Sequence, residues 1–195
     1  MVIYLYKFLS SLTMKIAKGK RGKVYKILNF AIKVKNKQSK AIGRIQNEAK
    51  WLKKLNKLNI GPRLYYGNNN LMITSFIKGE NIRDFFKSCS GKEKSEVIKE
   101  VFNQCRVLDT LKVDKLEMHR PFKHIIILKK KPVMIDFERC KHSQNPKNVT
   151  QFAQFLINIG IQVNKTKLRS LLKGYKRDYS EDKYKEIVSL FLKKT

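Results

Sequence analysis

A chain of 195 residues, 42% hydrophobic and modest in Gly and Pro, can bury a real core and is not a largely disordered polymer. No run of eighteen apolar residues occurs, which argues against a helical membrane span, and Cys89, Cys105 and Cys140 are odd in number with no CxxC, which argues against a disulfide framework or zinc site. The formal net charge of +29 comes from lysines and arginines scattered along the whole chain; RNA, a ribosome, a nucleotide or an acidic protein would each match it, and so would the Lys- and Ile-rich proteome of a heat-adapted organism.

The opening "MVIYLYKFLSSLTM" is apolar, but it lacks a basic start and a small-residue cleavage site, so it is expected to pack on the domain as a strand or helix. Three strands are expected next, in "MKIAKG", "GKVYKIL" and "FAIKVK". The first turn, "AKGKRGKVY", sets Ala17, Gly19 and Gly22 on a G-x-G-x-x-G frame, with Val24 two residues beyond. Such glycines let backbone amides close over phosphates, although a plain hairpin turn explains the pattern as well. In "FAIK", Ala31 and Lys33 share a strand face.

"SKAIGRIQNEAKWLKKLNKL" carries Ile42, Ile45, Ala49, Leu52 and Leu55 at helical spacing. At about 100° per residue Glu48 falls in the middle of that apolar face, surrounded in sequence by lysines and Arg44. A lone carboxylate there requires a cation, and Lys33 on the neighbouring strand is the expected partner. "IGPRLYYGNNNLMITSFIKGE" reads as two further strands. Beyond it the chain turns helical, with helices expected over 80–88, 91–110, 147–159, 165–174 and 180–194. Between them "HIIIL" and "PVMID" form one hairpin joined by "KKK". Antiparallel pairing sets His124 close to Asp136 and Phe137, an acid and a polar neighbour of the kind a divalent metal site requires. The whole is an α+β plan: a strand-rich front with one helix, then a helical back.

Taken in order, these motifs resemble the protein-kinase-like superfamily: a Gly-rich turn at 17–24, the Lys of "FAIK", the helix Glu48, a hinge at "TSFIKGE", and "IDFE" in place of Asp-Phe-Gly. The resemblance covers nearly the whole chain. It implies a two-lobed fold, with a strand-rich N-lobe over 1–77 and a helical C-lobe over 78–195, and ATP bound between the lobes. Lys33 would hold the α- and β-phosphates, anchored by Glu48, and Asp136 would bind Mg²⁺. Backbone from Ser75 to Ile77 would meet adenine, with Thr74 behind it. "NIGPRLYY" and "NPKNVTQFAQFL" look like the small atypical kinases of the RIO type and the kinase of the KEOPS tRNA-modification complex. An archaeal, cytoplasmic Ser/Thr protein kinase is implied.

The departure lies in "DKLEMHRPFKHIII". The family reads His-x-Asp, with a metal-binding Asn five residues after that Asp. If His124 replaces that Asn, counting back five gives His119 for the base, and counting back seven gives Glu117. Either could accept a hydroxyl proton, and the loop could also hold no base at all. His124 would be a poor Mg²⁺ ligand and would favour Mn²⁺ or an interaction within the loop. The expected activity is transfer of the ATP γ-phosphoryl group to a protein hydroxyl. The alternatives are a nucleotide-binding pseudokinase that serves as scaffold or switch, an RNA- or ribosome-associated module, and a small-molecule kinase.

Overall fold

Alternating apolar and basic residues in "FAIKVK" and its neighbours favour a half-buried sheet, and a sheet forms. The computed structural model describes residues 13–18, 22–35 and 43–192. The expectations for the opening stretch 1–12, for Gly19, for the first helix before residue 43 and for 193–194 fall outside the described residues. The chain divides into two compact units, one of residues up to Lys78 with Ile135–Arg139, the other of Gly79–Met134 with Cys140 onward.

In the first unit, β1 (Thr13–Lys18), β2 (Gly22–Ile27), β3 (Phe30–Lys35), β4 (Leu64–Gly67) and β5 (Leu71–Ser75) form an antiparallel sheet in the order β1-β2-β3-β5-β4. The register opposes Val24, Lys33 and Met72 in one row, and Lys26, Ala31 and Thr74 in another. Directly opposed residues share a face, so Val24, Ala31, Lys33 and Thr74 all lie on one side. Helix α1 (Arg44–Leu55) buries Ile45, Glu48, Ala49, Leu52 and Leu55. A Cβ at Gly67 of β4 would stand 2.5 Å from the Ala49 side chain, so only glycine lets strand and helix come this close. After α1, Asn56 knits the turn: its amide donates to the Ile60 and Pro62 carbonyls, and its Oδ1 accepts from the Leu64 N–H. Phe137 is fully buried in this unit, where its ring and the Leu52 side chain both close on the left-handed Gly61.

The second unit is mainly helical: α2 (Ile82–Ser88), α3 (Gly91–Thr110), α4 (Asn148–Asn158), α5 (Lys165–Asp178) and α6 (Glu181–Leu192). The expected helix from residue 80 starts instead at Ile82, because Asn81 caps it, accepting from the Arg83 and Asp84 N–H groups. Residues 80–81 form a short strand, β6 (Glu80–Asn81), on the expected hairpin of β8 (Ile125–Leu128) and β9 (Lys131–Met134). A further small ladder pairs β7 (Val113–Asp114) with β10 (Lys141–His142). Helix α5 runs on to Asp178, past the expected end near 174. Tyr179 then ends it in the left-handed conformation, at φ 52°. No helix among the described residues is long and apolar enough to cross a membrane.

Phe102, Phe152, Phe155 and Phe191 pack at the centre of this unit. Beside them lies a buried polar hub. Asp109, at the end of α3, accepts from the Asn148 N–H (3.0 Å), the Asn148 side-chain amide (2.7 Å), the Val149 N–H (3.2 Å) and the Tyr175 hydroxyl (3.0 Å). A carboxylate from one helix thereby caps the start of another, α4. Asn148 passes the link on, donating to the Val113 carbonyl at 2.6 Å and accepting from the Lys115 N–H at 2.9 Å. This ties the chain entering the 114–124 loop to the helical core.

Two expectations follow. Asp109→Asn turns one oxygen of the hub into a donor facing other donors. A loss of about 2–4 kcal/mol in urea unfolding is expected, and a loss within experimental error would refute the hub. At the start of α3, Glu93 completes a capping box with Ser90, and Lys130 above all, with the Ser90 contacts, holds its carboxyl down to about 2. A depressed acid stabilises the fold above its ordinary pKa and loses that contribution as pH falls towards about 2. The acid-unfolding curve of Glu93→Gln should converge on wild type in that window. Curves that stay parallel through it would exclude the link.

Candidate functional site

Strand period and helix period converge on one point of the first unit. β3 presents Lys33 towards α1, and α1 presents Glu48 from the centre of its apolar stripe. Lys33 Nζ lies 2.7 Å from Glu48 Oε2, and the other Glu48 oxygen accepts the Phe137 N–H at 3.1 Å. Glu48 thus joins β3 to the 135–139 segment through two oxygens. On that segment Asp136 has left-handed backbone, at φ 61°, and its Oδ1 stands 3.3 Å from Lys33 Nζ. Buried Phe137 fixes the segment, so the acids on either side of it stay near the lysine.

Glu138 is the second of those acids, and the sequence reading left it out of the site. It is 8% exposed; its Oε2 lies 3.2 Å from Lys33 Nζ and its Oε1 3.7 Å from Arg44 of α1. Its carbonyl also accepts from Asn47 at 3.0 Å. The signal in sequence was the alternation of acids around a buried Phe in "IDFE", where the family has glycine in the last place.

Burial works against the Lys33 ammonium, but Glu48, Asp136 and Glu138 outweigh it and hold its pKa above the ordinary lysine range. Lys33 is therefore charged throughout the physiological range. Burial pushes Glu48 above the usual carboxylate range, against the pull of Lys33 and with the Asp136 charge adding to the rise. The carboxylate oxygens of Glu48, Asp136 and Glu138 lie within 4.8 Å of one another. Asp136, the most exposed of the three, offers the hard oxygen that fits the divalent cation the resemblance implies, Mg²⁺ or Mn²⁺.

Val24, Ala31 and Thr74 share the Lys33 face of the sheet, and Thr74 is buried. Ala17 pairs with Val24 across β1 and β2, and Gly22 opens β2. At the expected hinge, the Ser75 N–H donates to the Arg63 carbonyl at 2.8 Å and its hydroxyl accepts from the Arg63 N–H at 2.9 Å. The Phe76 N–H donates to the Asn29 carbonyl at 2.7 Å, and Ile77 is half-buried.

In the second unit the 114–124 loop separates its candidates. Glu117 is half-buried, with its Oε2 3.3 Å from His124 Nδ1 and 3.8 Å from Nζ of the fully buried Lys115. The Met118 N–H donates to Gln151 of α4 at 3.2 Å, and the Arg120 N–H donates to the Glu117 carbonyl at 3.2 Å. Pro121 begins a short 3₁₀ turn, and His119 and Arg120 are exposed. The loop brings Glu117 and His124 together and leaves His119 at the surface. Nothing in the sequence marks Lys115 as buried; the backbone tie to Asn148 draws it inward. Elsewhere in this unit a groove of about 460 Å³ is lined by Arg83, Phe86, Lys87, Lys94 and Phe122, with Arg83 over the Phe122 ring at 5.3 Å.

No family model and no curated protein matches the sequence. In fold, the chain is similar to the solved structure of the aminoglycoside phosphotransferase APH(2″)-IIa in its ternary complex with streptomycin and ATP. The TM-score is 0.58 at 14% identity, covering 94% of this chain and 85% of that one. The fold is protein-kinase-like, α+β, with a strand-rich front and a helical back. The likeness is one of fold and does not single out the RIO or KEOPS-kinase branch.

Replacing the lysine tests the cluster. Lys33→Met removes the ammonium that the buried Glu48 and Glu138 share, and about 2–3 kcal/mol of stability should be lost at pH 7, the partial exposure of Lys33 keeping the figure low. The loss should shrink as pH falls, because the stranded carboxylates can protonate. Equal urea midpoints for the two proteins at pH 7 would show that the cluster does not hold the unit together.

Proposed function

We propose that this protein is an ATP-dependent phosphotransferase that delivers the γ-phosphoryl group to a serine or threonine hydroxyl of a protein. The observation that carries the reading is the Lys33–Glu48–Asp136 constellation on a protein-kinase-like fold. In this reading Lys33 binds the α- and β-phosphates, and Glu48 keeps it in place. Asp136 holds Mg²⁺ or Mn²⁺, whose charge offsets that of the phosphates. Val24 and Ala31 face the base, Thr74 lies behind it, and backbone from Ser75 to Ile77 meets its edge. The Gly-rich turn from Ala17 through Gly19 and Gly22 covers the phosphates.

Glu117 is the base. It is a half-buried carboxylate with one oxygen 3.3 Å from His124 Nδ1 and 3.8 Å from Lys115 Nζ, whereas His119 is exposed. His124, a nitrogen donor poorly suited to a hard cation, orients Glu117. As the acceptor oxygen bonds to the γ-phosphorus, the bond from that phosphorus to the β,γ-bridging oxygen breaks. The hydroxyl proton passes to Glu117, and ADP leaves with the bonding pair. The basic, aromatic groove at Arg83, Phe86, Lys94 and Phe122 supports an acidic protein as the acceptor. The likeness to a streptomycin complex favours a second reading, a small-molecule hydroxyl acceptor.

Labelled-ATP turnover on a panel of acidic proteins and aminoglycosides, with Mg²⁺ and with Mn²⁺, separates these readings. Lys33→Ala should weaken ATP binding by at least about tenfold. Glu117→Gln should keep binding and lower kcat by about 10²–10⁴-fold, and His119→Ala should stay near wild type. Turnover lost in His119→Ala but kept in Glu117→Gln would reverse the assignment of the base. ATP binding with no turnover on any acceptor would leave a pseudokinase.

A further inference from the structure

The proposed transfer gives Glu138 no part, yet it is among the most buried acids of the first unit. An ammonium has three N–H donors. Those of Lys33 are filled by Glu48 at 2.7 Å, Glu138 at 3.2 Å and Asp136 at 3.3 Å. An incoming phosphate oxygen must therefore displace one carboxylate. Glu48 is ill-placed to yield, since its other oxygen holds the Phe137 N–H. Asp136, with a third of its side chain exposed, is the natural ligand of the cation. Glu138 has an alternative partner already in place: its second oxygen lies 3.7 Å from Arg44 Nη1. Phe137 and the Asn47 bond hold the Glu138 backbone, so the exchange needs only side-chain rotation.

We infer that Glu138 is the resident counter-ion of Lys33, holding the place on the ammonium that a nucleotide phosphate takes. Nucleotide entry moves Glu138 across to Arg44. The inference rests on the nucleotide-binding reading above and adds a control to it. Asp136 and Glu138 both stand on the ammonium that a phosphate must reach. A bare triphosphate meets repulsion there, and a triphosphate that arrives with a divalent cation does not. Glu138 thus adds to the cation dependence of nucleotide binding.

The test is equilibrium binding of a non-hydrolysable ATP analogue to the full chain, by calorimetry at matched ionic strength, in excess EDTA and in Mg²⁺. Wild type should bind at least tenfold more weakly in EDTA. Glu138→Gln should bind in EDTA about tenfold more tightly than wild type, so that the gain from Mg²⁺ shrinks. Arg44→Gln, which removes the alternative partner, should weaken binding in both conditions and covers the case in which Glu138→Gln fails to fold. Equal affinities of Glu138→Gln and wild type in EDTA would overturn the inference while the nucleotide reading stands. Weaker binding by folded Glu138→Gln in both conditions would overturn it too, making Glu138 a positioning residue for Lys33. If Glu138→Gln does not fold, unchanged binding by Arg44→Gln overturns it. No binding by wild type in either condition removes both readings.

Discussion

The ion pair between Lys33 and Glu48 is the contact on which the rest of the first unit is arranged. It joins the middle strand of a sheet to the buried face of a helix, and it does so with charges that neither element could bury alone. Each partner would be costly in isolation, so the alternative pairings of strand and helix are penalised. Glu48 extends the same constraint to a segment distant in sequence, by accepting the Phe137 N–H. Asp136 and Glu138 are then fixed on either side of a buried ring, with their carboxylates on the lysine.

In the second unit a neutral-looking network has a comparable organising role. Asp109 caps α4 from outside that helix, and Asn148 carries the link to Val113 and Lys115. The loop that follows therefore leaves the core with its backbone already anchored. Met118 is anchored to Gln151, and Pro121 sets the next turn. Between these ties Glu117 is held beside His124 and Lys115, while His119 projects outwards. Backbone anchoring thus sets apart two residues that spacing alone ranked equally, one half-buried and one at the surface.

Much of the fold was legible because each element carried its own signal. Period-two alternation marked the sheet, and the apolar stripe of α1 located Glu48 on its buried face, which made a cation partner necessary. The ends of elements were less legible. Asn81 moved the start of α2 by capping it, and residues 80–81 went to a strand because β8 offered a free edge there. Helix α5 ran past its expected end because the left-handed turn that stops it falls at Tyr179, a residue type that gives no such signal.

By itself the sequence determined the element types, the α+β order and the need of Glu48 for a cation, because these follow from periodicity and from the cost of a buried charge. Only tertiary structure decided that Lys33 would have three carboxylates, that Glu138 would be one of them with Arg44 in reach, and that Lys115 would be buried beside Glu117. Those facts depend on side chains brought together from distant parts of the chain. No local pattern encodes such distances; they come from the packing of Phe137 against Gly61 and of α4 against the end of α3.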